Sequence, residues 1–90
     1  MLSSLCNTRV ELANEEESIA VQNRAFELGH LWNSRSHEPK RTHEKFLFFR
    51  TNIISFCYSS EREYFNRSNL TIVTVEDILG APLNFKIVKK

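Results

Sequence analysis

Three histidines, two cysteines and a run of cations around residue 40 are the side chains of this 90-residue chain with the most chemical potential. His30, His37 and His43, with Glu38 and Glu44, offer the imidazole and carboxylate donors that hold zinc or iron. Their spacing argues against a metal. His37 and His43 lie six apart across Pro39, and no His-x-x-x-His or Cys-x-x-Cys pair supports them, so neither a metal nor another cofactor is expected. Cys57 stands between Phe56 and Tyr58 in an apolar run, a place for packing and not for nucleophilic attack, and Cys6 falls in a terminus expected to fray. Both thiols are expected to stay reduced. Only Gly29 and Gly80 are present, too few for a glycine loop that cradles phosphate. The adjacent carboxylates Glu15 with Glu16, and Glu76 with Asp77, fall at helix starts, where the helix dipole already accounts for them. No set of residues fills the roles that turnover requires, so a non-enzymatic function is expected.

The stretch from Arg35 to Arg50 holds five Lys or Arg against Glu38 and Glu44. Arg35, Lys40, Arg41 and Lys45, with His37 and His43, could contact a partner or the phosphates of a nucleotide or nucleic acid, while Trp32, Tyr58 or Tyr64 could stack on it. A polar loop in water and a Trp plugging the core are the competing readings. Tyr58, Tyr64, Phe65 and Phe85 offer more aromatic surface than a thin core needs, which points to a partner or to a second copy paired through a sheet edge. Twelve cations against eleven carboxylates give a net charge of +1, which excludes a polycation or an acidic nucleic-acid mimic; any charge argument is local. The longest apolar run, Phe46 to Phe49, is too short to span a bilayer. The start Met-Leu-Ser-Ser-Leu-Cys lacks the features of a secretory leader, so a cytoplasmic protein without membrane contact is expected.

Two periods position these residues. Thr8, Val10 and Leu12 alternate with Arg9 and Glu11 as in a strand with one buried face. Asn14 then caps a helix with Glu17 at the reciprocal capping-box position; Ile19, Val21, Ala25, Phe26 and Leu28 form its apolar side, and Gly29 ends it. Residues 33–44 read as one polar loop. Phe46 to Arg50 and Ile53 to Ser59 form a hairpin about Thr51-Asn52. Ser60-Glu-Arg-Glu63 spells a second capping box and a short helix, Leu70 to Val75 a further strand, and Thr74-Val-Glu-Asp77 a capped helical turn that stops at Gly80. Leu83, Phe85 and Ile87 alternate as in a last strand. The expectation is a single α+β domain over residues 1–90, with a small, mostly antiparallel sheet of four to five strands against one main helix and one or two short ones. A parallel crossover from the first strand through the helix to Phe46–Arg50 is a further option.

Glu15 to Trp32, the Phe46 to Tyr58 strand pair and Leu70 to Leu79 together resemble a recurrent type of small bacteriophage protein. Such proteins have a strand, a helix ending in Leu-Gly-x-x-Trp, a polar loop, a hairpin and a final Ile-Thr-x-Glu-Asp-[Ile/Phe]-Leu turn. This chain departs from that pattern at His30 and Leu31, where Tyr or Phe and Lys are commoner, and in the segment after Gly80. The resemblance implies an accessory protein acting in a host bacterium and carries no catalytic residue across. The leading expectation is an interaction protein that binds and inhibits or modulates a host protein. The alternative is a nucleotide- or nucleic-acid-binding protein using the basic loop.

Overall fold

The computed structural model describes residues 4–80, and within them the chain runs β1 (Thr8–Glu11), α1 (Glu15–Glu27), β2 (Leu31–Trp32), β3 (Phe46–Phe49), β4 (Ile53–Cys57), α2 (Arg62–Arg67), β5 (Thr71–Val73) and α3 (Val75–Leu79). The strand expected over Leu83 to Ile87 lies outside the described residues. One five-stranded sheet has the order β2-β4-β3-β1-β5. Its two longer ladders, β1 with β3 and β3 with β4, are antiparallel, and the shorter edge ladders, β1 with β5 and β2 with β4, are parallel. The sheet is therefore mixed, in an α+β arrangement. β3 is the antiparallel neighbour of β1, so α1 does not form a parallel crossover between them.

Alternation along β3 divides its side chains between two cores. Leu47 and Phe49 join Val10, Val21, Ala25, Ile54, Val73 and Ile78 under α1 and α3. Phe46 and Phe48 join Cys57, Phe65 and Leu70 under α2. Helices thus lie on both sides of the sheet, and all four β3 side chains are buried. This explains why Arg9 departs from the simple alternation. The face opposite Val10 is covered by α2, so Arg9 is buried at 9% exposure, with its guanidinium donating to the Phe65 carbonyl.

The α1 start follows from the chain's own punctuation: Asn14 Oδ1 accepts from the Glu17 amide at 2.9 Å. Glu17 reaches back to the Ala13 amide at 2.8 Å, one residue before the cap, so the box is displaced and not reciprocal. The buried face is Ser18, Val21, Gln22 and Ala25. Ile19 is exposed, because the polar pair Ser18 and Gln22 is drawn inward by a hydrogen-bonding role that periodicity does not reveal. At α3 the box is complete: Thr74 Oγ1 accepts from the Asp77 amide and the Asp77 carboxylate from the Thr74 amide, both at 3.0 Å. Gly80, at φ 88°, ends the helix in a left-handed conformation that glycine adopts without a Cβ penalty. The box expected from Ser60 does not form. Residues 58–61 close a turn, with the Glu61 amide donating to the Tyr58 carbonyl at 2.8 Å, so α2 starts later and has no side-chain cap. Instead Arg62 ties α2 to β1, its Nη2 donating to Glu11 Oε2 at 2.5 Å. That bond holds the Glu11 carboxyl below its ordinary pKa of 4.5. No helix among the described residues is long and apolar enough to cross a membrane.

Candidate functional site

The basic loop is anchored at its middle by one buried amide. Gln22 donates to Ser18 Oγ at 3.0 Å and to the Lys40 carbonyl at 2.7 Å. Its oxygen accepts from the Lys40 amide at 2.9 Å and from Trp32 Nε1 at 3.0 Å. Both donors and both lone pairs are used, so loop, helix and Trp32 are locked together. Trp32 is 7% exposed and edge-on to Phe56. Its ring is core, and it presents no stacking platform.

β2 was not legible in the sequence, since two residues carry no period. Its pairing with β4 leaves the Trp32 backbone facing outward, and the loop covers it: the Trp32 amide donates to the Ser36 carbonyl at 3.4 Å and the Trp32 carbonyl accepts from the Arg35 amide at 2.7 Å. Arg35 achieves this return at φ 68°, in the left-handed region. The β2 edge is thereby closed to another strand. At the other edge, the Thr71 amide points to β1, donating to Asn7 at 3.0 Å, so the Ile72 backbone turns away from β1. The Ile72 side chain is 60% exposed.

The named cations separate into two groups. Arg35 and His37 lie in the part of the loop near the end of α1, where His37 meets the Phe26 ring edge-on at 6.1 Å. Lys40 is tied by its backbone to Gln22 and exposed in its side chain. Arg41 lies near Tyr58 at one end of the sheet, while His43 and Lys45 line a groove with Asn14 and Glu15 at the start of α1. The Arg41 guanidinium sits 4.6 Å above the Phe56 ring, and Phe56 meets Tyr58 at 5.4 Å and 89°. Phe46 faces Cys57 in the β3–β4 ladder, which sets Lys45 opposite Tyr58 one step further on. The Lys45 amide donates to Ser59 Oγ at 3.1 Å. Tyr58 is 51% exposed.

Glu44 is the buried joint of this end. Its Oε1 accepts from the Ser59 amide at 2.7 Å and from the Ser59 hydroxyl at 3.0 Å, and its Oε2 meets His43 Nε2 at 3.2 Å. The Ser59 amide chiefly holds the Glu44 carboxyl below its usual range. Both oxygens of this carboxylate are thus engaged by neighbouring groups. Among the described residues no three His, Cys, Asp or Glu side chains converge to hold a metal ion. Cys57 is buried, and burial pushes its thiol up, away from the thiolate that attack would need. Cys6 is exposed, with Sγ 3.1 Å from the Thr51 carbonyl.

The remaining aromatics divide by face. Phe65 is buried and stacked on Phe46 at 4.5 Å. Tyr64 belongs to the α2 side of the sheet, where it meets Phe48 edge-on. Comparison with family models, with curated proteins and with solved structures finds no match for this chain.

Proposed function

We propose that this chain is a non-enzymatic interaction protein, phage-encoded, that binds a host protein in the bacterial cytoplasm and modulates or inhibits it. Its contact surface is the end of the sheet formed by Arg41, Phe56 and Tyr58. One observation carries the reading: an exposed Tyr and an Arg both contact the Phe56 ring of β4, and the Arg comes from a loop already locked by Gln22. Tyr and Arg dominate binding hot spots, and a cluster ordered before contact loses less entropy on binding. Arg41 and the nearby exposed cations His43 and Lys45 favour a partner surface with an apolar centre and a rim of carboxylates. The resemblance to small phage proteins supports the setting. The β5 edge is where a second copy would add a strand, since the loop closes the other edge.

The test is affinity capture from nuclease-treated bacterial lysate, comparing the wild-type chain with Tyr58→Ala and Arg41→Ala. The expected result is a bound host protein whose recovery falls at least about tenfold with either change, as for hot-spot residues. Equal recovery by all three chains overturns the assignment of this surface.

A second reading has its own support, Arg41 over the Phe56 ring beside exposed Tyr58 with His43 and Lys45 exposed on neighbouring positions of the chain, which suits a nucleotide or nucleic acid. Retention that vanishes on nuclease treatment or falls steeply with salt selects it. Retention that survives both selects the protein partner.

A further inference from the structure

A second constellation stands at the opposite end of β3, on the α2 face, built from residues the surface above leaves unused. Past Phe46 and Phe48, alternation places Arg50 on the same side as α2. Tyr64 of α2 meets Phe48 edge-on at 5.7 Å and 85° and is 57% exposed. Arg50, Tyr64, Arg67, Ser68 and Asn69 together line a shallow cavity of about 400 Å³.

Beside it lies a third, buried guanidinium. Arg9 donates from Nη1 to the Phe65 carbonyl, the same oxygen that accepts from the Ser68 amide at 3.3 Å. Its Cζ is 5.3 Å from the centre of the Phe65 ring. Among the described residues its Nε meets no acceptor, and no carboxylate pairs with either Arg9 or Arg50. A buried cation without a counter-charge is costly, and it adds positive potential to the nearest open surface. The nearby carboxylate, Glu63, meets Arg67 at 3.3 Å with the two side chains 77% and 81% exposed, a pairing that water weakens and that a stronger anion can displace. Ser68 Oγ accepts from the Leu70 amide at 3.2 Å, which leaves its hydroxyl proton to donate elsewhere.

We infer that this cavity binds a phosphate monoester carrying an aromatic ring. Arg50 and Arg67 bind the phosphate oxygens in the planar fork geometry that guanidinium offers. Ser68 and Asn69 supply neutral donors, Arg9 adds charge from below, and the ring lies against the open face of Tyr64. A nucleoside monophosphate and an aryl phosphate share this chemistry.

Amide NMR titrations of the full chain with inorganic phosphate, glycerol 3-phosphate, phenyl phosphate and AMP test it. The aromatic phosphates are expected to move the amides of Arg50, Tyr64, Ser68 and Asn69 and to bind more tightly than glycerol 3-phosphate, with affinity falling as salt rises. AMP above phenyl phosphate identifies a nucleotide site, and the reverse order an aryl phosphate site. Arg50→Ala is expected to weaken binding about tenfold or more, and Tyr64→Ala to bring AMP down to the glycerol 3-phosphate level. Tyr58→Ala should leave the titration unchanged. Arg67→Ala serves as the independent second variant, and each variant's own spectrum reports its fold. Absence of shifts at these amides at low salt overturns the site, as does wild-type AMP affinity in folded Arg50→Ala and Arg67→Ala. Equal affinity for the aromatic phosphates and glycerol 3-phosphate overturns the role of Tyr64.

Discussion

Gln22 shows how much a neutral side chain can decide. Replacing it with Leu keeps a similar volume but strips partners from Trp32 Nε1 and from the Lys40 amide and carbonyl. At about 1–3 kcal/mol for each buried group left unsatisfied, Gln22→Leu is expected to cost roughly 3–5 kcal/mol in urea unfolding. A loss below about 1 kcal/mol would show that the loop is held by something else. His30 sets a pH dependence. It is buried, edge-on to Phe49 at 5.6 Å, and burial pushes its imidazole below the ordinary 6.5. The unfolded chain therefore takes up a proton below about pH 6.5 that the folded chain resists, and stability falls as the pH drops from there toward the lower folded value. His30→Phe is expected to flatten that part of the stability curve, as read by denaturant midpoints from about pH 7 to pH 5. Glu44 acts in a lower window. Its depressed carboxyl contributes stability above the ordinary 4.5, lost as acidification passes through the folded value.

The elements differ in what holds them. α1 and α3 carry their own caps, so Asn14→Ala and Thr74→Ala are each expected to cost about 1 kcal/mol. α2 has no side-chain cap and depends on Phe65 between Phe46 and Phe48, with Arg62 bound to Glu11. Phe65→Ala is expected to cost about 3–5 kcal/mol, with hydrogen exchange rising first over residues 62–67. Uniform exchange across the chain would instead make α2 part of one cooperative unit. The edges follow the same logic. If a second copy adds a strand at β5, as proposed, Ile72→Lys is expected to abolish the dimer detected by sedimentation, and a dimer that survives the change lies elsewhere.

At the scale of the molecule, a net charge of +1 leaves any charge-driven binding to local clusters, and two candidates lie toward opposite ends of β3. One joins Arg41 and Tyr58 at the Phe46 end of β3, and the other joins Arg50 and Tyr64 at its Phe49 end on the α2 face. Having no residue in common, they should respond independently. The double variant Tyr58→Ala with Arg50→Ala is expected to lose both host-protein capture and phosphate binding. Its stability change should equal the sum of the two single changes within about 0.5 kcal/mol. A larger deviation would show that the ends communicate through the sheet.

Local chemistry alone determined the starts of α1 and α3, the stops at Gly29 and Gly80, and the hairpin about Thr51-Asn52, because a cap, a left-handed glycine or a two-residue turn acts within a few positions. The polar loop and its cations are local in the same sense, a contiguous stretch without apolar period. The strand order, the two-residue β2, the inward turn of Arg9 and Gln22 and the exposure of Ile19 depended on residues distant along the chain: Phe65 covers Arg9, and Lys40 meets Gln22. The candidate surfaces divide likewise. Arg41 and Tyr58 were recognisable as residue types, but their union over Phe56, and the gathering of Arg50 with Tyr64 and Arg67, required the sheet to close first. Side-chain pattern reports which face a residue occupies, and only packing reports what lies opposite.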